Sequence, residues 1–199
     1  MQETPWQKAT GASGAHYDDK FKALQHAGQH IHGEADFVAS FGVTSVVDAG
    51  CGTGRLAIEL ARRGINVIGV DRERNMLRSA QEKAPHLTWH LANLATVQLN
   101  DPMANNQLQL FEAIVMAGNV MIFIDPGTAR PVMMNLARHL APAGLLISGF
   151  QLQQGLCLDS YDDYAKQAGL HLKERWATWD RKPWYEGCDY AVSVHYRPS

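Results

Sequence analysis

The sequence predicts an α/β chain wound around both faces of one sheet, and three stretches carry that prediction. In the first, the β-branched run Val46-Val47 meets Asp48, then Gly50, Gly52 and Gly54 at alternate positions, then a helical pattern. In the second, Asn66-Val67-Ile68-Gly69-Val70-Asp71 gives another apolar strand that ends in an acid. Strand, glycine turn, helix, strand is the nucleotide-cradling unit of a doubly wound sheet. In the third, Leu170–Trp179 and Asp189–Tyr196 alternate with period two and predict a pair of strands near the C-terminus.

The helix after the glycines is specified residue by residue. Leu56, Ala57, Leu60 and Ala61 share one face, and Arg62, Arg63 and Gly64 supply a basic last turn and a left-handed stop. Glycines suit the turn because a Cβ would keep a ligand from the backbone, and the helix N-terminus attracts an anionic group. The spacing is G-x-G-x-G behind an acid, not the G-x-G-x-x-G of dinucleotide enzymes. A carboxylate at the tip of the second strand, Asp71, stands where it accepts both hydroxyls of a ribose.

Together, Asp48-Ala49-Gly50-Cys51-Gly52-Thr53-Gly54 and Val70-Asp71 resemble the class I S-adenosylmethionine-dependent methyltransferases. A turn that merely packs tightly needs one or two glycines and no acid on the next strand. The resemblance covers about Val46 to the C-terminus. It implies a Rossmann-like, seven-stranded, mostly parallel sheet with an antiparallel closing hairpin and helices on both faces. It also implies S-adenosyl-L-methionine as cofactor, S-adenosyl-L-homocysteine as product, and a cofactor site that includes Asp48, Gly50, Cys51, Gly52, Gly54 and Asp71.

Taken in order, the first fifteen residues are polar and small. His16 to Phe41 turns helical, with Phe21 and Leu24 on one face, a break near Gly33 and a second short helix over 34–41. In the resembled family, segments before the glycine loop cover the cofactor, which singles out Tyr17 as a cofactor contact and His30, His32 and Glu34 as residues near the acceptor. His26 and His30 stand i, i+4 apart, but no third ligand is evident, and solvated histidines are the better reading; no metal is expected. After Asp71 a helix runs to about Ala84 and stops at Pro85. The resemblance puts Arg72 and Met76 beside the adenine, although Met76 also reads as core.

Leu87–Ala92 predicts a third strand ending at Asn93-Leu94. The family carries an acid here to accept from the adenine amine. Asn93 offers only a neutral amide oxygen, a weaker acceptor. A polar, turn-rich connection over 98–109 leads to a fourth strand, Phe111–Met116, and its exit loop Ala117-Gly118-Asn119. That tip lies at the topological switch point, where donor and acceptor should meet. Asn119 reads as a polar contact there or as a turn-former. A helix over 127–140, a fifth strand over 143–150 and a short helix over 159–168 follow. Leu140-Ala141-Pro142-Ala143-Gly144 is similar to the family's turn before its fifth strand.

Composition bounds the function. With 199 residues, 46% of them hydrophobic, the chain suits one domain: a helical cap over 1–41 on a core over 45–199. A net charge of −2 gives no electrostatic footprint for nucleic acid, and Met116-Ala117-Gly118-Asn119 lacks the [DN]-P-P-[YF] run of amino-methylating nucleic-acid enzymes. No apolar run is long enough to span a bilayer, and no secretory leader is evident. Cys51, Cys157 and Cys188 show no metal spacing and read as free thiols, so the cytoplasm is expected. The partner is then a small-molecule acceptor, and the chain a monomer or homodimer without membrane or nucleic-acid partners. The connection 180–187 reads as a lid over the acceptor or as a plain hairpin loop.

The implied reaction is in-line displacement of a sulfonium methyl, in which the protein supplies proximity, orientation and exclusion of water. His32 is the candidate base for an acceptor that must lose a proton. Two other functions fit parts of the pattern. One is a nicotinamide-dependent oxidoreductase, against which stand the glycine spacing and the closing strand pair. The other is a non-catalytic S-adenosylmethionine-binding protein, which shares every binding motif and differs only in product formation.

Overall fold

Runs of β-branched and aliphatic residues separated by amphipathic segments fold, in a computed structural model, into one seven-stranded sheet. The structure describes residues 5–10, 18–19, 23, 28, 30–104, 107–152 and 155–199, so Tyr17, Phe21, Leu24 and His26 lie outside the described residues. The strands are β1 (Ser45–Ala49), β2 (Asn66–Asp71), β3 (Thr88–Leu91), β4 (Phe111–Met116), β5 (Leu140–Gln151), β6 (His171–Trp176) and β7 (Tyr190–Tyr196). Their order is β3-β2-β1-β4-β5-β7-β6. The first five in space-order are parallel, while β7 inserts between β5 and β6 and runs antiparallel to both.

The described helices are α1 (Pro5–Thr10), α2 (Gly33–Ala39), α3 (Arg55–Arg62), α4 (Arg74–Lys83), α5 (Val120–Phe123), α6 (Ala129–Ala137) and α7 (Leu158–Gln167). Neighbouring strand residues serve opposite faces. Val46, Ala113, Val115, Ile147, Val192 and Val194 pack with α2 and α3, including Phe37, Val38, Leu56 and Leu60. Val47, Val70, Ile114, Met116, Leu146 and Phe150 pack with α6 and α7 through Met133, Leu136 and Tyr161. Burial on both faces explains why these strands read as continuous apolar runs rather than alternating ones.

Several boundaries differ from the sequence reading, among them the helix expected over 34–41, which runs Gly33–Ala39, and the strand expected over 170–179, which ends at Trp176. β5 begins at Leu140 rather than Ala143, because Leu140 already pairs with Phe111 across a register shift that absorbs the proline turn. Inside that turn Ala143 takes φ +61, an αL position filled by a non-glycine, and its amide donates to the Arg197 carbonyl. The preceding helix is shorter than expected, since α6 starts at Ala129 after Gly127 at φ +78. The connection over 93–110 is held from below. Asn135 Nδ2 donates to the carbonyls of Leu94 and Val97, and buried His139 Nε2 accepts the Leu99 amide. That bond leaves Nδ1 to donate to the Asn135 carbonyl, and burial lowers the imidazole pKa, favouring this neutral form.

β1 connects to β2 on one side while β4 lies on its other side, so a crevice opens beyond the carboxyl ends of β1 and β4. No helix among the described residues is long and apolar enough to cross a membrane.

Candidate functional site

The crevice holds a cleft of about 830 Å³, walled by the glycine loop, the tips of β2 and β3 and the β4 exit. Its first wall grows out of β1. Past Ala49 the backbone turns left-handed at Gly50 (φ +82) and Gly54 (φ +81). The amides of Gly50 and Cys51 both donate to the Val70 carbonyl, at 2.7 and 3.1 Å, which ties the loop to β2. A Cβ on Gly50 would meet Val120 at 2.5 Å, so only glycine lets the two walls approach this closely. Thr53, fully buried between the glycines, donates to Asp18 at 2.5 Å, and Lys83 also holds Asp18, at 2.8 Å. The segment before β1 is thereby fastened to the loop.

Asp71 stands at the tip of β2. Its Oδ2 accepts the Gly52 amide at 2.7 Å and its Oδ1 accepts the Glu73 amide at 2.8 Å. Burial pushes this carboxyl above its usual range, and the two amide bonds pull the other way. A carboxylate oxygen has more than one lone pair, so both oxygens retain acceptor capacity toward the cleft that Asp71 lines. Next to it, Arg72 pairs with Asp125 at 2.7 Å, linking the β2 exit to the chain beyond α5.

The structure gathers most of the residues expected at a cofactor site. Gly50, Cys51, Gly52, Asp71, Arg72, Met76, Asn93, Leu94, Ala117 and Gly118 all line the cleft. Asn93 does so with its Oδ1 already accepting the Ala95 amide at 2.9 Å, so one lone pair of that oxygen is committed locally. Cys51 is buried and its thiol is pushed up by desolvation, aided by Asp48 and Asp71, which keeps it protonated.

Four expected positions fall outside the wall, each for a visible reason. Asp48 lies beneath the loop, 2% exposed, and its Oδ2 accepts the Ala57 amide at 3.0 Å; it caps α3 from below. Gly54 faces the Trp89 ring and Ala80, where a Cβ would sit 2.5 and 3.1 Å away. Asn119, at φ +68, starts α5 and turns its Oδ1 to the Gln151 amide at 2.9 Å. His32 sits at the N-terminus of α2, with Nδ1 3.9 Å from Glu59 Oε2. Glu34 is committed as well, receiving both guanidinium nitrogens of Arg55 at 2.6 and 3.1 Å.

The sequence reading missed Trp6, Glu73, Ala92, Val120, Phe123, Ile124, Asp125 and Thr128, which complete the wall. Phe123 and Val120 belong to α5, a four-residue helix too short to show a period. Trp6 arrives from far along the chain, on α1. Glu73 had a signal: it follows Asp71 by two residues on the same tip.

Asp48 gives a pH test of this packing. Desolvation outweighs its bond from Ala57 and the Arg55 charge, and raises its pKa to about 7. The folded state therefore binds the proton more tightly than the unfolded chain. Its contribution is fully present below about pH 4 and is lost as pH rises towards 7, on the order of 4 kcal/mol. Denaturant melts from pH 4 to 8 should show this decline in the wild type and a flatter profile in Asp48→Asn. Parallel profiles in the two proteins would contradict the assignment.

Comparison with known proteins places this architecture. A family model described as "Methyltransferase domain" matches residues 46–144, from β1 into the turn of β5. Trans-aconitate 2-methyltransferase of Azoarcus sp. (strain BH72) is 31% identical over 136 residues, covering 65% of this chain and 49% of that protein. Magnesium-protoporphyrin O-methyltransferase of Rhodobacter capsulatus is 33% identical over 85 residues, covering 43% of this chain and 36% of that protein. The chain thus spans about half or less of the length of these curated relatives. A crystal structure of a TehB-like SAM-dependent methyltransferase from Corynebacterium glutamicum superposes with a TM-score of 0.82 at 28% identity, covering 94% of this chain and 98% of that one.

Proposed function

The chain belongs to the class I S-adenosylmethionine-dependent methyltransferases, and from that premise we propose that it methylates a small-molecule acceptor at the β1/β4 crevice. The family identifies the cofactor as S-adenosylmethionine. The observation that carries the reading is the Asp71 carboxylate, fixed by the Gly52 and Glu73 amides on the wall of a cleft whose opposite side is glycine backbone. An acid held rigid by two N–H donors, with lone pairs to spare, fits a vicinal diol and does not fit a phosphate.

In this reading Asp71 receives the ribose hydroxyls, and Gly50, Cys51 and Gly52 give the amino-acid end access to backbone. Leu94 and Met76 flank the adenine, with Arg72 and Asn93 at its edge. Ala117 and Gly118 border the reacting centre, where the absence of bulk leaves room for an acceptor. S-adenosylmethionine, when bound, supplies an activated methyl on a sulfonium. The chain's own part is to orient, to exclude water and to avoid competing nucleophiles, and a protonated Cys51 meets the last condition. The same reading takes residues 45–199 as one domain capped by 1–41, acting in the cytoplasm as a monomer or homodimer without nucleic acid.

The acceptors named for the two relatives, trans-aconitate and magnesium protoporphyrin, differ greatly in size, so they support a small molecule and no particular one. The test is acceptor-dependent formation of S-adenosylhomocysteine across a panel of carboxylate, phenol and amine acceptors. Turnover on at least one is expected. Tight cofactor binding with no turnover on any would favour the non-catalytic binding protein instead. His32, standing off the cleft wall, should matter little: His32→Ala is expected to change kcat by less than about threefold. A loss of about 100-fold, the range of a general base, would return it to the mechanism.

A further inference from the structure

Four charged residues line the cleft among the described residues: Asp71, Arg72, Glu73 and Asp125. Arg72 and Asp125 neutralise each other at 2.7 Å. Among the described residues Asp71 is held by backbone amides, those of Gly52 and Glu73 foremost, and by no cationic side chain. Glu73 is 9% exposed; its Oε2 accepts Gln7 Nε2 at 2.7 Å, and its Oε1 is buried with no donor among the described residues. Among the described residues the wall therefore carries two carboxylates with no cation paired to them, one of them with a bare oxygen, an arrangement that costs free energy until positive charge arrives.

Resting on the cofactor reading above, we infer that Glu73, with Asp71, makes this cleft select a cationic nucleoside over its neutral counterpart, so that the sulfonium substrate binds tighter than the thioether product. S-adenosylmethionine and S-adenosylhomocysteine share adenine, ribose, ammonium and carboxylate. They differ by one methyl and one positive charge, so the ratio of their affinities isolates the charge. A unit charge felt from about 8–10 Å at an effective dielectric of 20–40 changes affinity by roughly 4- to 30-fold. Product made in the cleft would then be released because its own formation removes the charge that held it. The Gln7 contact gives Glu73 a second job on α1, and the ratio separates the two: loss of packing weakens all ligands alike, whereas loss of charge weakens the cations alone.

The experiment is calorimetric titration with S-adenosylmethionine, S-adenosylhomocysteine and sinefungin, whose amine puts a positive charge near the sulfonium position. The wild type should bind both cations roughly tenfold or more tighter than S-adenosylhomocysteine. Glu73→Gln should shrink that ratio about threefold or more while moving S-adenosylhomocysteine little. Two further variants test the sign without touching Glu73. Arg72→Gln strands Asp125 and should widen the ratio; Asp125→Asn frees Arg72 and should narrow it. Equal or tighter wild-type binding of S-adenosylhomocysteine overturns the inference and leaves the cofactor reading standing. So does a Glu73→Gln variant that weakens all three ligands by one factor. Binding of none of the three overturns the cofactor reading itself.

Discussion

Replacing Asp71 by alanine should raise the dissociation constants for S-adenosylmethionine and S-adenosylhomocysteine by about 100-fold or more. Two hydrogen bonds from ribose hydroxyls to a charged acceptor are lost, each worth about 1.5–3 kcal/mol. The structure argues for a moderate cost in stability as well. The Gly52 and Glu73 amides lose their acceptor, and each such group costs about 1–3 kcal/mol unless water replaces it. Asp71→Asn separates the two effects, because its amide oxygen keeps one of those bonds. Calorimetry with a thermal melt on both variants checks the prediction. Unchanged affinity in Asp71→Ala would remove the ribose assignment, whatever the melt shows.

Gly54→Ala should lower Tm by roughly 5–15 °C. Two costs add at this position. A left-handed φ of +81 is unfavourable by about 1–2 kcal/mol for any residue with a Cβ. The new methyl also enters the Trp89 ring at 2.5 Å and Ala80 at 3.1 Å, and overpacking of this kind costs about 1–3 kcal/mol more. Trp89 is pinned, since its Nε1 donates to the Ala84 carbonyl at 2.9 Å and its ring lies over Gly69. The double variant Gly54→Ala, Trp89→Leu should therefore lose less stability than the two single losses combined. Strict additivity would mean that the ring does not oppose the new methyl.

Trp89 also shows why parts of the site were not legible in the sequence. The glycine rhythm reads as ligand approach at all three positions, yet Gly54 serves a half-buried indole and only Gly50 and Gly52 reach the cleft wall. A spacing pattern reports where a Cβ is forbidden and is silent on what occupies the space. The same blindness affects Asp48: an acid before the loop reads as a ligand contact, whereas its Oδ2 faces inward to the Ala57 amide. Asn119 looks like a pocket residue by location, but its αL backbone directs the side chain to Gln151.

What the sequence does specify is set by chemistry that acts locally. The α3 stripe of Leu56, Ala57 and Leu60 is buried as its spacing requires, and the carboxylate of Asp71 stands at the strand tip. The period-two segments become β6 and β7, although their insertion order, with β7 inside and β6 at the edge, is a long-range pairing that no local pattern encodes. Trp6 and the α5 wall belong to the same class of long-range information.

Whether this cleft holds S-adenosylmethionine is decided by calorimetric titration of the purified protein with S-adenosylmethionine, S-adenosylhomocysteine and NAD in parallel. One site per chain for the first two, and no heat from NAD, is the predicted result. Binding of NAD with neither of the others would rule out S-adenosylmethionine as the occupant and return the glycine loop to a dinucleotide.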